Sequence, residues 1–445
     1  MRFTRIPGTT LALAAAIALI GCGNKEEPAP APAPVPAAPV AKPEITVKIG
    51  HAAPLTGPQA HIGKDNEYGA TLAVEELNAK GLEIGGAKVK FELISDDDQA
   101  DPKQGTTVAQ KFVDAKVNGV IGHLNSGTTI PASQIYSDNG IPQISGSATA
   151  IKYTKQGFAT AFRVMSNDEQ QGKALAEFAA KTLAAKSVAV IDDRTAYGQG
   201  LADEFKKAAE AAGLKLVANE YTNDKATDFK AILTKIKSKK PDLIFYGGMD
   251  PQGGPMVKQL KELGIKAKFL TGDGGCTPNF ITLAGAAAEG QYCSLPGVPL
   301  EKMPGGAAFK EKFTGKFKTE IQLYAPYVYD ATMTLVDAMK RANSVEPAKY
   351  LPEIGKTAYQ GVTAKISFDA NGDLKDGAIS FYEFKGGKIE YVETLGGVPE
   401  APAEAKPTAD AAPAAAPAAA PAVAPAAAPA AAATGAIPAP AAEKK

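Results

Sequence analysis

The sequence predicts an α/β protein with two lobes, each built on a sheet that is rich in parallel strands. The chain has 445 residues, more than one hydrophobic core usually serves, so two packed lobes are the default expectation. From Ile45 onward, short apolar runs alternate with segments that carry apolar residues at helical spacing, and this order is typical of parallel sheets with helices on both faces. After residue 165 the alternation starts again, which predicts the second lobe.

The first half of this pattern contains four predicted strands and three predicted helices. Strands are short apolar or alternating runs, whereas helices show apolar residues three and four positions apart. The first helix stops at Gly81, and Pro131 opens the third. In chain order the elements are strand 45–54, helix 63–81, strand 88–97, helix 102–116, strand 117–124, helix 131–140 and strand 141–146.

The second half repeats the order, beginning with a helix. Its elements are helix 168–185, strand 186–193, helix 198–213, strand 214–221, helix 228–240, strand 241–248, helix 253–264 and a strand with its loop over 267–275. A long helix over 326–343 and closing strands within 361–393 follow. We expect these last pieces to complete both lobes, so that the chain crosses between the lobes more than once.

The amino-terminal end is predicted to be an export signal rather than part of a lobe. Arg2 and Arg5 precede a short apolar stretch that ends at Cys22 in the letters LIGC, and the stretch is shorter than the roughly 18 residues of a membrane span. Residues 1–21 are therefore expected to be a signal peptide. LIGC resembles a bacterial lipobox, whose cysteine becomes the lipidated first residue; an ordinary signal peptide cleaved nearby is the alternative.

Segments rich in proline and alanine flank the predicted lobes. Residues 22–43 comprise the lipidated cysteine and a linker with seven prolines in its last sixteen positions, a composition that favours extended polyproline II. At about 3.1 Å per residue those sixteen positions reach roughly 50 Å, enough to hold a folded body clear of a membrane surface. Residues 399–445 have the same character, and we expect a disordered tail or a wall-spanning spacer.

Composition narrows the classes of function. The 48 basic and 48 acidic residues balance, so the net charge does not favour nucleic acid as a partner. Apart from Cys22, the chain holds Cys276 and Cys293, an even pair that could form a disulfide after export. We expect no metal or other cofactor, since two cysteines are too few ligands and the histidines do not cluster in sequence. These are His51, His61 and His123.

Polar and aromatic side chains follow four of the predicted strands. Ser126 follows one strand, and Ser147 and Thr149 follow the next; all three can donate hydroxyl groups. Tyr197 and Asp273 follow two strands of the second lobe. Ligands of open α/β sheets bind beyond the carboxyl ends of the strands, so two such lobes facing each other would form a cleft lined by both sets of loops.

Neutral hydroxyl donors in the first lobe and a carboxylate with an aromatic ring in the second favour a zwitterionic ligand with a small apolar side chain. Its carboxylate would meet neutral donors at a helix N-terminus, and its ammonium would pair with Asp273, a partner whose loss is costly once the pair is desolvated. Turn formation, helix capping and lobe packing are the structural alternatives for these residues.

Other ligands and enzymatic functions are less favoured. No Lys or Arg lies in either small-residue loop of the first lobe and the phosphate-loop signature is absent, which argues against phosphate. Ser126 lacks the G-x-S-x-G elbow of a nucleophile, and the glycine pattern of a dehydrogenase is missing after the first strand. We therefore expect that the protein is not an enzyme.

Several motifs in order resemble the receptors for leucine, isoleucine and valine of bacterial ABC importers. The motifs are VKIGHAAPLTGPQAHIGKDNEYGATLAVEELNAKGL, DDDQADPKQ, VIGHLNSGTTIPAS, AYGQGLADEF, DLIFYGG and DGGCTPNF. The resemblance is to type I periplasmic binding proteins and runs from about residue 45 to 392. It implies two Rossmann-like lobes joined by three hinge strands, a monomer in the periplasm, and delivery of a branched-chain or similar apolar amino acid to an ABC permease. A sensory or regulatory ligand-binding module is the alternative.

The resemblance also implies roles for individual residues. Ser126 matches the serine that binds the ligand carboxylate, and Tyr197 matches the tyrosine of Y-G-x-G. Asp273 matches the acidic residue that pairs with the ammonium. The loop that grips the same amino acid corresponds to Ser147, Ala148 and Thr149.

The family fold implies limits for the two lobes. The N-terminal lobe would comprise 44–164 and 296–376, and the C-terminal lobe 165–295 and 377–398. The hinge crossings would fall near Val164–Asn167, Leu295–Pro296 and Asp376–Ser380.

The chain departs from the family pattern in three places. Ala100 and Asn125 stand where many relatives have a disulfide, for which the pair Cys276–Cys293 could substitute. Ile62 replaces an aromatic residue before the first helix. Met249 followed by Asp250 replaces a further tyrosine, so we expect an altered apolar subsite.

Overall fold

The computed structural model describes residues 42–397. The predicted signal peptide, the lipidation site Cys22, the linker up to residue 41 and the tail 399–445 lie outside the described residues. Within 42–397, no helix combines the length and the apolar composition that crossing a membrane requires.

The first sheet is made from the first six strands. They are β1 (Glu44–Ala53), β2 (Glu83–Ile84), β3 (Ala87–Asp97), β4 (Gly119–Gly122), β5 (Gln143–Ser145) and β6 (Ala161–Arg163). Their spatial order is β2-β3-β1-β4-β5-β6, and all neighbours run parallel except β2 at the edge. The connecting helices are α1 (Ala60–Ala79), α2 (Pro102–Asp114), α3 (Ser126–Asp138) and α4 (Lys152–Lys155).

The second sheet repeats the arrangement and ends in an antiparallel hairpin. Its strands begin with β7 (Ser187–Asp192), β8 (Lys215–Tyr221), β9 (Leu243–Gly247), β10 (Lys268–Thr271) and β11 (Tyr292–Pro296). A small separate hairpin, β12 (Tyr359–Gln360) and β13 (Lys365–Ile366), precedes the last two strands, β14 (Ala378–Lys385) and β15 (Lys388–Gly396). The order is β15-β14-β11-β10-β9-β7-β8, and only β14 and β15 run antiparallel to their neighbours.

The remaining helices follow in chain order from α5 onward. They are α5 (Asp168–Lys181), α6 (Ala196–Ala211), α7 (Lys230–Lys239), α8 (Asp250–Glu262) and α9 (Pro278–Ala284), followed by α10 (Gly306–Phe317), α11 (Ala325–Ala342) and α12 (Pro347–Ile354). Short 3-10 turns occupy Asp273–Gly275, Gly285–Ala287 and Leu300–Lys302. Helix α11 packs on α1, β4 and β5 and so returns the chain to the first sheet.

Local sequence explains why these elements form where they do. All residues of β4 and β9 are buried, as expected for central parallel strands that are covered on both faces. Asp101 caps α2 by accepting the N–H groups of Lys103 and Gln104, and Asn167 and Gln170 form a reciprocal capping box at the start of α5. Such caps satisfy N–H groups that have no partner inside the helix.

Three passages of the chain between the two sheets lie side by side. The Arg163 N–H donates to the Gly372 carbonyl at 2.9 Å, and the Gly297 N–H donates to the Ala378 carbonyl at 2.7 Å. The Ser166 hydroxyl donates to the same Ala378 carbonyl at 3.1 Å. These contacts support the predicted hinge crossings, while the residue limits given above for the two lobes stay predictions.

The α/β class and the two parallel-rich sheets are confirmed, but several boundaries differ from the prediction. Helix α3 begins at Ser126, with Pro131 inside it. Asn125, whose backbone is extended, is the N-cap residue just before the first helical residue. Helices α1 and α8 also begin three residues before their predicted starts. The sequence pattern did not predict several short or isolated elements, namely β2, β6, β11, β12, α4, α9, α10 and α12.

Candidate functional site

Ser126 lies at the amino-terminal end of α3, and three residues separate it from the buried strand β4. Its side chain is almost completely buried, and its Oγ accepts the N–H of Ala150 at 3.1 Å. Because that bond uses an oxygen lone pair, the Ser126 proton remains available to donate. A hydroxyl donor at a helix N-terminus is suited to an anion such as a carboxylate.

The loop from Ser147 to Thr149 is held in place from behind. The Ser145 Oγ accepts the Ala148 N–H at 2.9 Å, and the Ala148 carbonyl accepts a guanidinium N–H of Arg163 at 2.8 Å. The Ser147 Oγ accepts the side-chain amide of Asn66 on α1 at 3.2 Å. The loop is therefore a rigid part of the first lobe, and its hydroxyl groups have defined positions.

Tyr197 is positioned by the first turn of α6. Thr195 caps this helix by accepting the Gly198 N–H. A Cβ atom at Gly198 would lie 2.5 Å from the Gly247 carbonyl oxygen, so only glycine permits the close approach of α6 to the end of β9. The Tyr197 hydroxyl accepts the Gly274 N–H at 2.9 Å and donates to Asp273 at 2.8 Å.

Asp273 is the carboxylate of the site and has no exposed surface. Its second oxygen accepts the hydroxyl of Tyr324 at 2.6 Å. Burial raises the pKa of Asp273, and the hydrogen bonds from Tyr324 and Tyr197 oppose that shift. Burial and the nearby carboxylate also raise the pKa of both tyrosines well above the ordinary value, so both remain protonated donors at neutral pH.

Tyr324 was not predicted from the sequence, although it completes the environment of Asp273. It precedes α11, and its backbone N–H donates to the buried carboxylate of Asp65 at 2.7 Å. Asp65 also accepts the N–H groups of Gln322, Leu323 and Ala325, so it fixes the start of α11 and hence the tyrosine. An aromatic residue just before the Ala325–Pro326 helix start was the only local signal.

A small cavity between the two sets of loops brings several of these residues together. Ser126, Ser147 and Tyr197 line it, whereas Asp273 is bonded to the lining residues Tyr197 and Tyr324; Ala148 and Thr149 are not part of the lining. The full lining is Leu124, Asn125, Ser126, Ser147, Tyr197, Met249 and Tyr324. Its volume of about 10 Å³ is near that of one water site, so an amino acid can enter only when the lobes or these side chains move apart.

The site holds no serine–histidine pair. His123 is fully buried, and its two ring nitrogens contact Asp98 and Tyr136 at 2.9 Å each. Because these partners occupy both ring nitrogens, neither nitrogen of His123 accepts the Ser126 hydroxyl in this arrangement. Among residues 42–397 no three His, Cys, Asp or Glu side chains are grouped as metal ligands would be.

Two further features surround the Asp273 turn. A disulfide joins Cys276, which ends the turn, to Cys293 on β11, seventeen positions later. On the other side of the cleft, the Asn125 amide donates to the Gln59 side chain at 2.8 Å. Asn125 is therefore tied to the segment before α1 by a hydrogen bond.

The positions of the expected altered subsite lie close to a contact between the lobes. Ile62 is completely buried in α1, and Met249 lines the cavity. The neighbours of these two residues meet directly, because the His61 imidazole contacts the Asp250 carboxylate at 2.8 Å. Asp250 also accepts hydrogen bonds from Thr277 and Asn279.

Two α/β lobes whose strand-end loops meet around a buried polar cleft define a class of proteins that close on small molecules. Comparison of the amino-acid sequence with known protein families agrees with this class of protein. Residues 46–388 match the periplasmic binding protein family, and the chain belongs to it. Its members are binding proteins rather than enzymes.

Individual relatives are receptors for branched-chain amino acids. The chain is 38% identical over 353 residues to Leu/Ile/Val-binding protein homolog 1 of Brucella suis, covering 78% of this chain and 93% of that protein. A leucine-binding protein of Thermotoga maritima superposes with a TM-score of 0.73 at 29% identity, covering 78% of this chain and 98% of the other. A branched-chain amino acid transporter substrate-binding protein of Streptococcus pneumoniae, in complex with isoleucine, gives 0.72 at 30% identity, with coverages of 79% and 100%.

Proposed function

We propose that this protein is an extracytoplasmic receptor that captures a branched-chain or similar apolar amino acid between its lobes and delivers it to an ABC importer. The observation that carries the proposal is the division of the cleft into neutral donors on one side and a buried carboxylate, Asp273, on the other. The relatives named above bind ligands of this chemistry, which supports the same assignment here.

The ligand's charged groups have separate partners in this proposal. Its carboxylate accepts the Ser126 hydroxyl at the N-terminus of α3 and donors of the loop that follows β5. Its ammonium pairs with Asp273, which Tyr197 and Tyr324 orient. The proposed site residues are Ser126, Ser147, Ala148, Thr149, Tyr197 and Asp273.

The apolar side chain of the ligand would contact the remaining wall of the cavity. Leu124 and Met249 are apolar and almost fully buried there. The flexible thioether of Met249 can adapt to aliphatic side chains of different shape. Since one methylene is worth only about 1–3 kcal/mol, we propose a class of apolar amino acids rather than a single one.

The rest of the assignment concerns partners and location. We propose a periplasmic monomer, anchored to the membrane by lipid on Cys22, without a cofactor and without enzymatic activity. The absence of a serine–histidine pair among the described site residues supports a binding role. The permease is the proposed protein partner; a sensory module that presents its closed form to a signalling partner is the second candidate.

Calorimetry with the purified protein tests the ligand assignment. A panel should contain aliphatic amino acids, polar amino acids, short amides and aliphatic carboxylic acids. We expect binding heat with leucine, isoleucine or valine and none with polar amino acids. No heat with any aliphatic amino acid would refute the proposed ligand class.

Fractionation of cells tests the anchor. Wild-type protein should sediment with membranes, whereas Cys22→Ser should be found in the soluble fraction. Continued membrane association of the variant would contradict lipid anchoring through Cys22. Loss of branched-chain amino acid uptake in cells without the receptor would distinguish a transport role from a sensory one.

A further inference from the structure

A chain of hydrogen bonds runs through the interior of the first lobe and ends at the ligand cavity. The Ser95 hydroxyl on β3 lies 2.9 Å from Nδ1 of His51 on β1, and Nε2 of His51 lies 3.3 Å from the side-chain oxygen of Asn66 on α1. The Asn66 amide in turn donates to the Ser147 hydroxyl at 3.2 Å. Because Ser147 lines the cavity, the chain connects three elements of the lobe with the proposed site.

The two central members of this chain have no contact with solvent. His51 and Asn66 are completely buried, and Ser147 is nearly so. Burying an imidazole and an amide is costly unless both are hydrogen-bonded, and a pair of aliphatic side chains would fill the same space without that cost. A buried polar chain that ends at a cavity residue therefore points to a role in the site.

The contacts determine which ring nitrogen of His51 carries the proton. Burial lowers the pKa of His51 to about 4, although the Glu67 charge and the Asn66 hydrogen bond oppose that shift, so the imidazole is neutral near pH 7. A neutral imidazole has one donor nitrogen and one acceptor nitrogen. The side-chain oxygen of Asn66 can only accept, so Nε2 is the donor and Nδ1 accepts the Ser95 hydroxyl.

One carboxylate lies close enough to compete for the Ser95 proton. Glu67 is near both Ser95 and His51, and donation from Ser95 to Glu67 would require the opposite direction of every bond in the chain. The Lys64 ammonium donates to Glu67 at 2.9 Å, so this carboxylate has a charged donor of its own. The Ser95 proton therefore remains for Nδ1 of His51.

We propose that His51, acting through Asn66, is a positioning residue that fixes the Ser147 hydroxyl as a donor towards the ligand. The Asn66 amide occupies a lone pair of the Ser147 oxygen, so the Ser147 proton is left for a partner in the cavity. A carboxylate accepts this proton, whereas an amide N–H group would meet another donor. The inference rests on the proposed function and narrows it to carboxylates, with the corresponding amides excluded.

A consequence concerns the order of preference among ligands. A site whose hydrogen-bonding groups are fixed rejects a ligand with the wrong groups by far larger factors than an apolar pocket rejects a missing methylene. The cleft should therefore distinguish leucine from leucinamide better than it distinguishes leucine from valine.

Nitrogen NMR of the full-length receptor with isotopically labelled histidine rings tests the arrangement of protons directly. The chain contains three histidines, so single substitutions assign the ring signals. In the leucine-bound protein His51 should be neutral, with its proton on Nε2. A proton on Nδ1, or a doubly protonated ring, would overturn the inference and leave the proposed ligand class intact.

Calorimetry compares L-leucine with L-leucinamide, which keeps the ammonium and the apolar side chain. At about pH 6.5, below the pKa of roughly 7.7–8.0 of an α-amino group, both ligands carry the ammonium. The variant is Asn66→Asp, whose side chain has the same shape but accepts from both His51 and Ser147, and so turns the Ser147 proton away from the ligand. Asn139→Asp is the matched control, since Asn139 is exposed at the carboxyl end of α3.

The wild type should bind leucine and should bind leucinamide about a hundredfold more weakly or worse. In Asn66→Asp the affinity for leucine should fall about tenfold or more, and the preference over leucinamide should shrink by a similar factor. Asn139→Asp should match the wild type. An unchanged preference in Asn66→Asp would overturn the role of the chain.

A second comparison separates the direction of the hydroxyl from the added charge. A negative charge at position 66 repels the ligand carboxylate with or without Ser147, whereas the effect of the hydroxyl requires Ser147. In the Ser147→Ala background, Asn66→Asp should therefore change the preference much less than in the wild-type background. An equal change in both backgrounds would show charge repulsion alone and would contradict the inference.

The inference stays testable if Asn66→Asp proves unstable, and its failure can be told from that of the proposed function. His51→Phe keeps an aromatic ring but frees the Asn66 amide to turn, so it should reduce the same preference, and the NMR measurement needs no variant of the chain. Equal binding of leucine and leucinamide by the wild type would overturn this inference alone. Failure of the wild type to bind any amino acid would overturn both proposals.

Discussion

Asp273 accepts one hydroxyl from each side of the cleft, from Tyr197 of the second lobe and from Tyr324 at the start of α11. Strand-end placement alone was enough to predict Asp273 and Tyr197 as candidates, since both follow strands of one sheet. Tyr324 could not be predicted this way, because it is 51 positions from Asp273 and depends on the Asp65 contacts that fix its backbone.

Asp273→Asn should weaken binding of the preferred amino acid by about 2–5 kcal/mol, because the ammonium loses its charged partner. The substitution keeps the size of the side chain and one acceptor, so the fold should persist. Calorimetry provides the measurement, with the exposed Asp203→Asn on α6 as control. Equal affinity of wild type and Asp273→Asn would contradict the ammonium assignment.

Tyr324→Phe removes one hydroxyl donor to Asp273 without changing the packing of the ring. We expect affinity to fall by about 1–3 kcal/mol, the range for hydrogen bonds to charged groups. Tyr221→Phe is the control, since Tyr221 is largely exposed. A Tyr324→Phe variant with wild-type affinity would show that Tyr197 suffices to orient Asp273.

Asp168→Asn should change how stability depends on pH. Burial raises the pKa of Asp168 from 3.8 to about 8, so between pH 4 and 8 the folded state retains a proton that the unfolded state has lost. Stability therefore falls as pH rises through this window. In Asp168→Asn the stability should decrease less over this pH range. The measurement is the melting temperature of the ligand-free protein from pH 4.5 to 8.5. Parallel profiles of variant and wild type would contradict the shift.

At the scale of elements, regular helices and strands were predicted better than their ends. The start of α3 decides the chemistry of the site, because beginning at Ser126 rather than Pro131 places the Ser126 hydroxyl at the helix N-terminus. Proline is most favourable in a first turn, which is why the sequence pattern favoured the later start. The strand preceding Ser126 and the capping backbone of Asn125 override that preference.

The turn that carries Asp273 is closed by the disulfide between Cys276 and Cys293. Replacing both cysteines by serine should lower the free energy of unfolding by up to about 3 kcal/mol, the chain-entropy value for a loop of this length. Urea denaturation measures the change, and reduced wild type should behave like the double variant. Indistinguishable unfolding curves for oxidised and reduced wild type would show that the bond contributes little.

At the scale of the whole molecule, the two lobes touch outside the ligand cavity. The His61 imidazole of α1 contacts the Asp250 carboxylate of α8, and the two residues are 189 positions apart. His61 is partly exposed while Asp250 is fully buried. Because this contact exists only when the lobes are together, it stabilises the closed form. Stabilising the form that holds the ligand increases the affinity for the ligand.

His61→Ala should weaken ligand binding by about 1 kcal/mol, the typical net contribution of one intramolecular hydrogen bond. The loss should occur mainly in the dissociation rate, because the contact forms after the ligand has entered. Stopped-flow fluorescence measures both rates. Lys64→Ala serves as control, since Lys64 pairs with Glu67 within the same helix; an equal effect in both variants would argue against a contact between lobes.

The amino-acid sequence was enough to predict the α/β class, the two repeats of strand and helix, and the strand-end positions of Ser126, Thr149, Tyr197 and Asp273. Those features follow from apolar periods of two and 3.6 residues, which are local properties of the chain. Three contacts could be seen only in the folded protein: Tyr324 with Asp273, His61 with Asp250, and the buried Asp168 with Thr149. These contacts join residues whose distance depends on how the lobes and helices pack, and local periodicity carries no information about that packing.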